Sequence, residues 1–158
     1  MQKQALQPLL LQALEVNSAY GIERKVSLYL MTEVPDVGIY VERQRLMQVL
    51  SNLLSNSIKY SDENGKVEIF VREQDSIVSL TVKDYGPGIP AEFHSRIFER
   101  FAQVDSSETR KRGDTGLGLA IARELIQQMH GQIGFESVQG EGASFFIQLP
   151  VGTGISSK

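Results

Sequence analysis

The sequence predicts an α/β (α+β) two-layer sandwich: a mixed, mostly antiparallel sheet of about five strands, covered on one face by about three helices. Three observations predict it. Two β-rich runs, residues 66–72 and 77–83, flank the short polar segment Glu73-Gln74-Asp75-Ser76 and form a hairpin. A second pair, 132–138 and 143–149, is joined by Gln139-Gly140-Glu141-Gly142. Helical stretches separate these strands, and the strongest, 42–60, repeats Leu46, Val49, Leu50, Leu53, Leu54 and Ile58 at spacings of three and four.

The remaining elements follow in order. Pro8 suits the first turn of a helix that Leu10, Leu11, Leu14 and Ala19 continue toward Gly21. Residues 26–30 alternate and read as a strand, Pro35-Asp36 turns the chain, and residues 39–41 form a second short strand. Asp62-Glu63-Asn64-Gly65 ends the 42–60 helix in a turn. Asp84-Tyr85-Gly86-Pro87-Gly88-Ile89-Pro90 continues neither helix nor strand, because glycine and proline break both. From Ala102 to Gly116 the chain is polar and without periodicity. A helix then runs from Leu117 to His130, with Gly131 placed to end it. Residues 1–150 read as one domain and 151–158 as a flexible tail.

Composition narrows the function classes. The 158 residues are 41% hydrophobic and 22% charged, so a packed core is expected rather than disorder. Sixteen Lys and Arg against nineteen Asp and Glu give a formal charge of −3, which argues against a general nucleic-acid or polybasic membrane binder. Without cysteine there is no disulfide framework, thiol nucleophile or cysteine zinc site. The two histidines, His94 and His130, are too few for most histidine-built metal sites, and both read as structural. No apolar run approaches the ~20 residues that span a bilayer, and the Gln-rich start is not a signal peptide. A soluble, cytoplasmic domain is expected, with no nucleic acid and no direct membrane contact.

Three segments carry chemistry. On the 42–60 helix, Asn52, Asn56 and Lys59 share a stripe about 60° wide beside the apolar face. An Asn carbonyl oxygen is a hard ligand suited to Mg²⁺, whose other ligands are water and phosphate oxygens; Lys59 would balance phosphate charge. Alone, the stripe also reads as a solvated polar flank. Asp84 ends a buried strand, where a carboxylate can accept a hydrogen bond from an exocyclic amine such as adenine's. Gly86 and Gly88 would let the backbone approach a flat ring; an ordinary Gly-Pro turn is the other reading. Gly113 to Leu119 turns a polar loop into a helix, so free backbone N–H groups face an anion there, with Arg110, Lys111 and Arg112 adding charge. No Walker A or dinucleotide-binding glycine pattern is present.

In this order the segments resemble the ATP-binding catalytic domain of sensor histidine kinases, in the superfamily with gyrase B, Hsp90 and MutL, whose nucleotide-binding fold is the Bergerat sandwich. Residues 52–60 match the N box, Asp84 to Gly88 the first glycine box, Phe98-Glu-Arg-Phe101 the F box, Gly113 to Gly118 the second glycine box, and Gly140 to Phe145 the last. The resemblance covers roughly residues 5–150.

The resemblance implies a module that holds Mg-ATP and donates the γ-phosphoryl group to a histidine on a separate dimerisation domain, within a two-component system that also includes a response regulator receiver domain. Asn56 would ligate Mg²⁺ with Asn52 in support, and Lys59 would contact phosphate. Tyr60 would pack near the base or ribose, and Asp84 would bond the adenine amine. Gly86 and Gly88 would shape the base pocket, to which Ile89 and Phe98 also belong. Residues 99–116 would form an ATP lid. Arg110, Lys111, Thr115, Gly116, Leu117 and Gly118 would bind phosphates. Catalysis then falls to Asn52, Asn56 and Lys59. Three positions depart from the family's usual residues: Tyr85 for asparagine, Ser57 for alanine and Asp114 for glycine. Neither histidine lies in the family's His-Glu-x-x-x-Pro acceptor stretch, so the enzyme is incomplete without that domain. The parent protein can be membrane-anchored while this part is cytoplasmic. Two alternatives remain: a nucleotide-binding sensory or scaffold module without phosphotransfer, and a gyrase- or MutL-type ATPase. The latter needs a glutamate where Asn52 stands, and an amide cannot take a proton from water.

Overall fold

The computed structural model describes residues 1–88 and 117–152. Ten elements are seen among them: β1 Gln2–Ala5, α1 Leu6–Glu23, β2 Ser27–Leu30, β3 Gly38–Val41, α2 Arg43–Tyr60, β4 Lys66–Gln74, β5 Ile77–Asp84, α3 Leu117–Gln128, β6 Gln132–Val138 and β7 Gly142–Pro150. Five strands form one sheet in the order β2-β4-β5-β7-β6. The β2–β4 pair is parallel and the other three pairs are antiparallel, as the sequence predicts.

Strand alternation builds the core. Val67, Ile69 and Val71 of β4, Val78, Leu80 and Val82 of β5, and Ala143, Phe145, Ile147 and Leu149 of β7 are all buried on one face. Opposite them lie Leu6, Leu9, Leu10 and Ala13 of α1, the 3–4 repeat of α2, and Ala122, Leu125, Ile126 and Met129 of α3, in a single cluster. The amphipathic helix α2 is the centre of the cover, with α1 and α3 packed beside it and β5 and β4 beneath. That arrangement brings the end of α2 and the end of β5 to the same edge of the sandwich.

The structure adds to or differs from the sequence expectation in four places. Residues 39–41 do not join the main sheet. They pair antiparallel with β1, a strand of two glutamines, a lysine and an alanine with no apolar alternation to announce it. The 73–76 turn contracts to Asp75-Ser76, both at positive φ (56° and 62°), the geometry of a two-residue hairpin loop. The third helix ends at Gln128, and the left-handed residue that closes it is His130 rather than Gly131. His130 takes the left-handed φ of 65°, its N–H donates to Gln127 O, and Gly131 N–H donates to Ile126 O, a Schellman closure. Val151 and Gly152, which the sequence groups with the tail, are both bonded to the body: Val151 N–H donates to Ser76 O and Gly152 N–H to Gly38 O.

Candidate nucleotide site

The candidate site forms where three backbones meet. Asp84 is the last residue of β5 and, like Val78, Leu80 and Val82, faces the helices, so its carboxylate is only 2% exposed. Its Oδ1 accepts from Gly86 N–H at 3.0 Å and from Ala143 N–H, on β7, at 3.3 Å. A buried carboxylate is costly unless bonded, and these two amides fix its orientation. Burial pushes the Asp84 carboxyl up to about 6. The two amides pull against that rise, and the Asp62 carboxylate adds to it. Around neutral pH it remains an ionised acceptor, suited to an amine donor.

Glycines make this meeting possible. A β-carbon on Gly86 would lie 2.0 Å from the Tyr60 carbonyl oxygen, so the turn after β5 touches the last residue of α2 directly. A β-carbon on Gly142, at φ +104°, would lie 2.2 Å from the Asp84 carbonyl oxygen. Only glycine meets both demands at Gly142. Gly88, at φ +76°, packs under the Val138 carbonyl, and Gly140 N–H donates to Pro87 O. The loops 84–88 and 138–142 are thereby interlocked.

The α2 stripe lies next to this junction. Asn56 is buried and donates its side-chain amide to Asn52 Oδ1 at 3.4 Å. With one N–H of its amide turned to Asn52, Asn56 can offer a cation its carbonyl oxygen. Among the described residues no cluster of His, Cys, Asp or Glu could hold a metal. An amide carbonyl oxygen is a hard, neutral donor, which fits a cation such as Mg²⁺ whose other ligands are water and phosphate oxygens. Arg24 donates to the Lys59 carbonyl at 3.1 Å and so caps the end of α2, while Ser61 Oγ caps the Ser57 carbonyl at 2.8 Å. Ser57 is fully buried, and its Oγ has no hydrogen-bond partner among the described residues.

Asn52, Asn56, Lys59 and Tyr60 thus lie on the C-terminal half of α2, and the turn that holds Asp84, Gly86 and Gly88 meets that helix at Tyr60. Leu117 and Gly118 open α3, which packs on α2. Ile89, Phe98, Arg110, Lys111, Thr115 and Gly116, and with them the 99–116 lid and Asp114, lie outside the described residues. Sequence reasoning missed the Ala143 amide, because a backbone donor has no side-chain signature. The pair Gly140 and Gly142 just before it is the signal that could have found it.

Comparison with known proteins agrees with this geometry. Residues 41–153 match the family described as histidine kinase-, DNA gyrase B-, and HSP90-like ATPase. The chain is 44% identical over 121 residues to the sensor histidine kinase WalK of Bacillus subtilis (strain 168), a match covering 74% of this chain and 20% of that protein. It therefore spans about one fifth of the length of such relatives. Among solved structures, full-length ShkA in complex with AMPPNP superposes with a TM-score of 0.80 at 30% identity, over 94% of this chain and 31% of that one. Histidine kinase ThkA in complex with the response regulator TrrA gives a TM-score of 0.77 at 28% identity, over 94% of this chain and 41% of that one.

Proposed function

This chain belongs to the histidine kinase-, DNA gyrase B- and HSP90-like ATPase family, and we propose that it is the ATP-holding catalytic part of a sensor histidine kinase. The observation that carries the proposal is Asp84: a buried carboxylate oriented by two backbone amides, in a turn pressed against the helix that bears Asn52, Asn56 and Lys59. The carboxylate accepts a hydrogen bond from the adenine amine, Gly86 and Gly88 shape the base pocket by letting α2 and the 138–142 loop close on the turn, and Tyr60 packs near base or ribose. Ile89 and Phe98 complete the base pocket. Asn56, supported by Asn52, would hold Mg²⁺, which neutralises charge on the phosphates when bound. Lys59 contacts the phosphates, and so do Arg110, Lys111 and the backbone of Thr115 to Gly118. Residues 99–116 close over the nucleotide as a lid.

In this role the chain positions ATP and does little covalent chemistry. An imidazole nitrogen of a histidine on a separate dimerisation domain attacks the γ-phosphorus. The bond to the β,γ-bridging oxygen breaks, ADP leaves, and the imidazole proton passes to a base on the acceptor domain. The phosphohistidine then serves a response regulator receiver domain, the kind of partner that ThkA carries in its complex. No helix among the described residues is long and apolar enough to cross a membrane. We place this part of the protein in the cytoplasm, where ATP is available, whatever anchors the remainder. Asn52 is an amide and cannot take a proton from water, which ranks phosphotransfer above hydrolysis.

The test is transfer in trans. With labelled ATP and Mg²⁺ the chain alone should remain unlabelled. With the dimerisation domain of its parent kinase it should label that domain's histidine, and Asn56→Ala should abolish the transfer. Label on His94 or His130 of the isolated chain would make it a self-contained kinase and overturn the proposal.

A further inference from the structure

Tyr85 directly follows the adenine-facing carboxylate, yet its side chain leaves by the opposite face of the sheet. There its hydroxyl donates to Glu68 Oε1. Glu68 is 7% exposed and sits on β4 in register with Lys83 of β5. Its other oxygen, Oε2, lies 3.4 Å from the Lys66 ammonium, and the Lys66 and Lys83 ammoniums are each 4.9 Å from the centroid of the Tyr85 ring. Three side chains, Glu68, Lys66 and Lys83, thus close around a single tyrosine. The Tyr85 hydroxyl holds the Glu68 carboxyl below its usual range and is itself pushed up by it. Around neutral pH the acceptor is charged and the donor keeps its proton, the stronger form of such a bond.

The backbone at Tyr85 is held from two more sides. The close approach of Gly142 brings β7 to the Asp84 carbonyl and the Tyr85 α-carbon, and the close approach of Gly86 brings the end of α2 to the next residue. The peptide units on either side of Tyr85 carry the Asp84 side chain and the Gly86 N–H that orients it. We propose that Tyr85, anchored through Glu68, is a positioning residue for Asp84: it holds the 84–86 turn in the one geometry that presents the carboxylate to the base. The inference rests on the reading of Asp84 as the adenine acceptor. It also gives a use to the tyrosine that stands where the family usually has asparagine. On the far side of the sheet from the nucleotide, Tyr85 sets affinity without touching ligand.

The experiment is a double-mutant cycle on the full chain, with Mg²⁺-AMPPNP binding read by calorimetry and the Gly86 amide read by NMR hydrogen exchange. Tyr85→Phe keeps the ring and removes the anchor. It should weaken binding about three- to tenfold and speed Gly86 exchange. Glu68→Gln retains an acceptor and should stay near wild type, whereas Glu68→Leu should behave as Tyr85→Phe. On an Asp84→Asn background the Tyr85→Phe loss of affinity should vanish, which a general loss of stability would not reproduce. Unchanged Gly86 exchange in Tyr85→Phe, or an equal loss of affinity on both backgrounds, would overturn the proposal. If Asp84→Asn alone left AMPPNP affinity intact, the adenine reading would fail instead. Gly86 exchange would still decide whether Tyr85 holds the turn.

Discussion

Gly86 and Tyr60 touch backbone to backbone: a β-carbon on the glycine would fall 2.0 Å from the tyrosine's carbonyl oxygen. This contact fixes the carboxylate-bearing turn against the helix that carries the two amides. Gly86→Ala must push the two backbones apart, since a carbonyl cannot rotate away as a side chain can. The expected loss is about 3 kcal/mol of stability together with nucleotide affinity, both measurable by denaturant titration and calorimetry. Wild-type stability in Gly86→Ala would mean the two segments are not packed as described.

Asp84 trades stability for function. Burial pushes its carboxyl from an ordinary 3.8 up to about 6, so the native state holds this proton more tightly than the unfolded chain. Stability from this group is therefore greatest below the unfolded pKa and declines as pH rises toward the folded one. Above that the ionised group opposes folding by about 3 kcal/mol. Asp84→Asn should raise the stability of the nucleotide-free protein at pH 7.5 and flatten its pH dependence between 4 and 6. In the wild type, ATP affinity should fall as pH drops below 6, because a protonated acid is a poorer acceptor. Thermal unfolding and calorimetry across pH test both halves.

Ser57 carries a buried hydroxyl with no partner among the described residues. Removing it relieves an unsatisfied polar group at little loss of volume. Ser57→Ala should add about 1 kcal/mol of stability and leave nucleotide affinity unchanged. A destabilised alanine variant would show that the hydroxyl has a bonded role.

His130 occupies a left-handed position that glycine adopts without strain. His130→Gly should stabilise the chain by about 0.5–1 kcal/mol, read from the denaturation midpoint, with ATP binding intact. A loss of phosphotransfer in this variant would give the histidine a function that its position at a helix end does not suggest.

Legibility in the sequence followed the range of the interaction. The helix stripe of Asn52, Asn56 and Lys59 is set by a local period, and the hairpins by turns a few residues long, so both could be read directly. The residues of the Asp84 turn were visible as a group because glycine and proline punctuate the chain there. What escaped notice depends on partners distant in sequence. Gln2 to Ala5 become a strand because Gly38 to Val41 lie beside them. Ala143 matters through its amide, which reaches Asp84 across 59 residues. Tyr85 reads in the sequence only as a departure from a motif, because its partners Glu68 and the two lysines lie on neighbouring strand positions. Gly131 looked like the helix terminator, but it is glycine because its α-carbon lies under the Gln148 carbonyl, and the left-handed turn falls one residue earlier.

The central claim is that Asp84 reads the amine of adenine, and base discrimination tests it most directly. Inosine triphosphate has the same size and phosphate charge as ATP, but carries a carbonyl oxygen where ATP carries the amine and an N1–H where adenine has a bare nitrogen. With Mg²⁺ present, calorimetry on the wild-type chain should show ATP binding at least tenfold more tightly than inosine triphosphate, since two acceptors would then face each other in a buried site. In Asp84→Asn, whose side chain can donate, the preference should shrink or reverse. Equal affinity for the two nucleotides in the wild type, or an unaltered preference in Asp84→Asn, would contradict the assignment of Asp84 to the base.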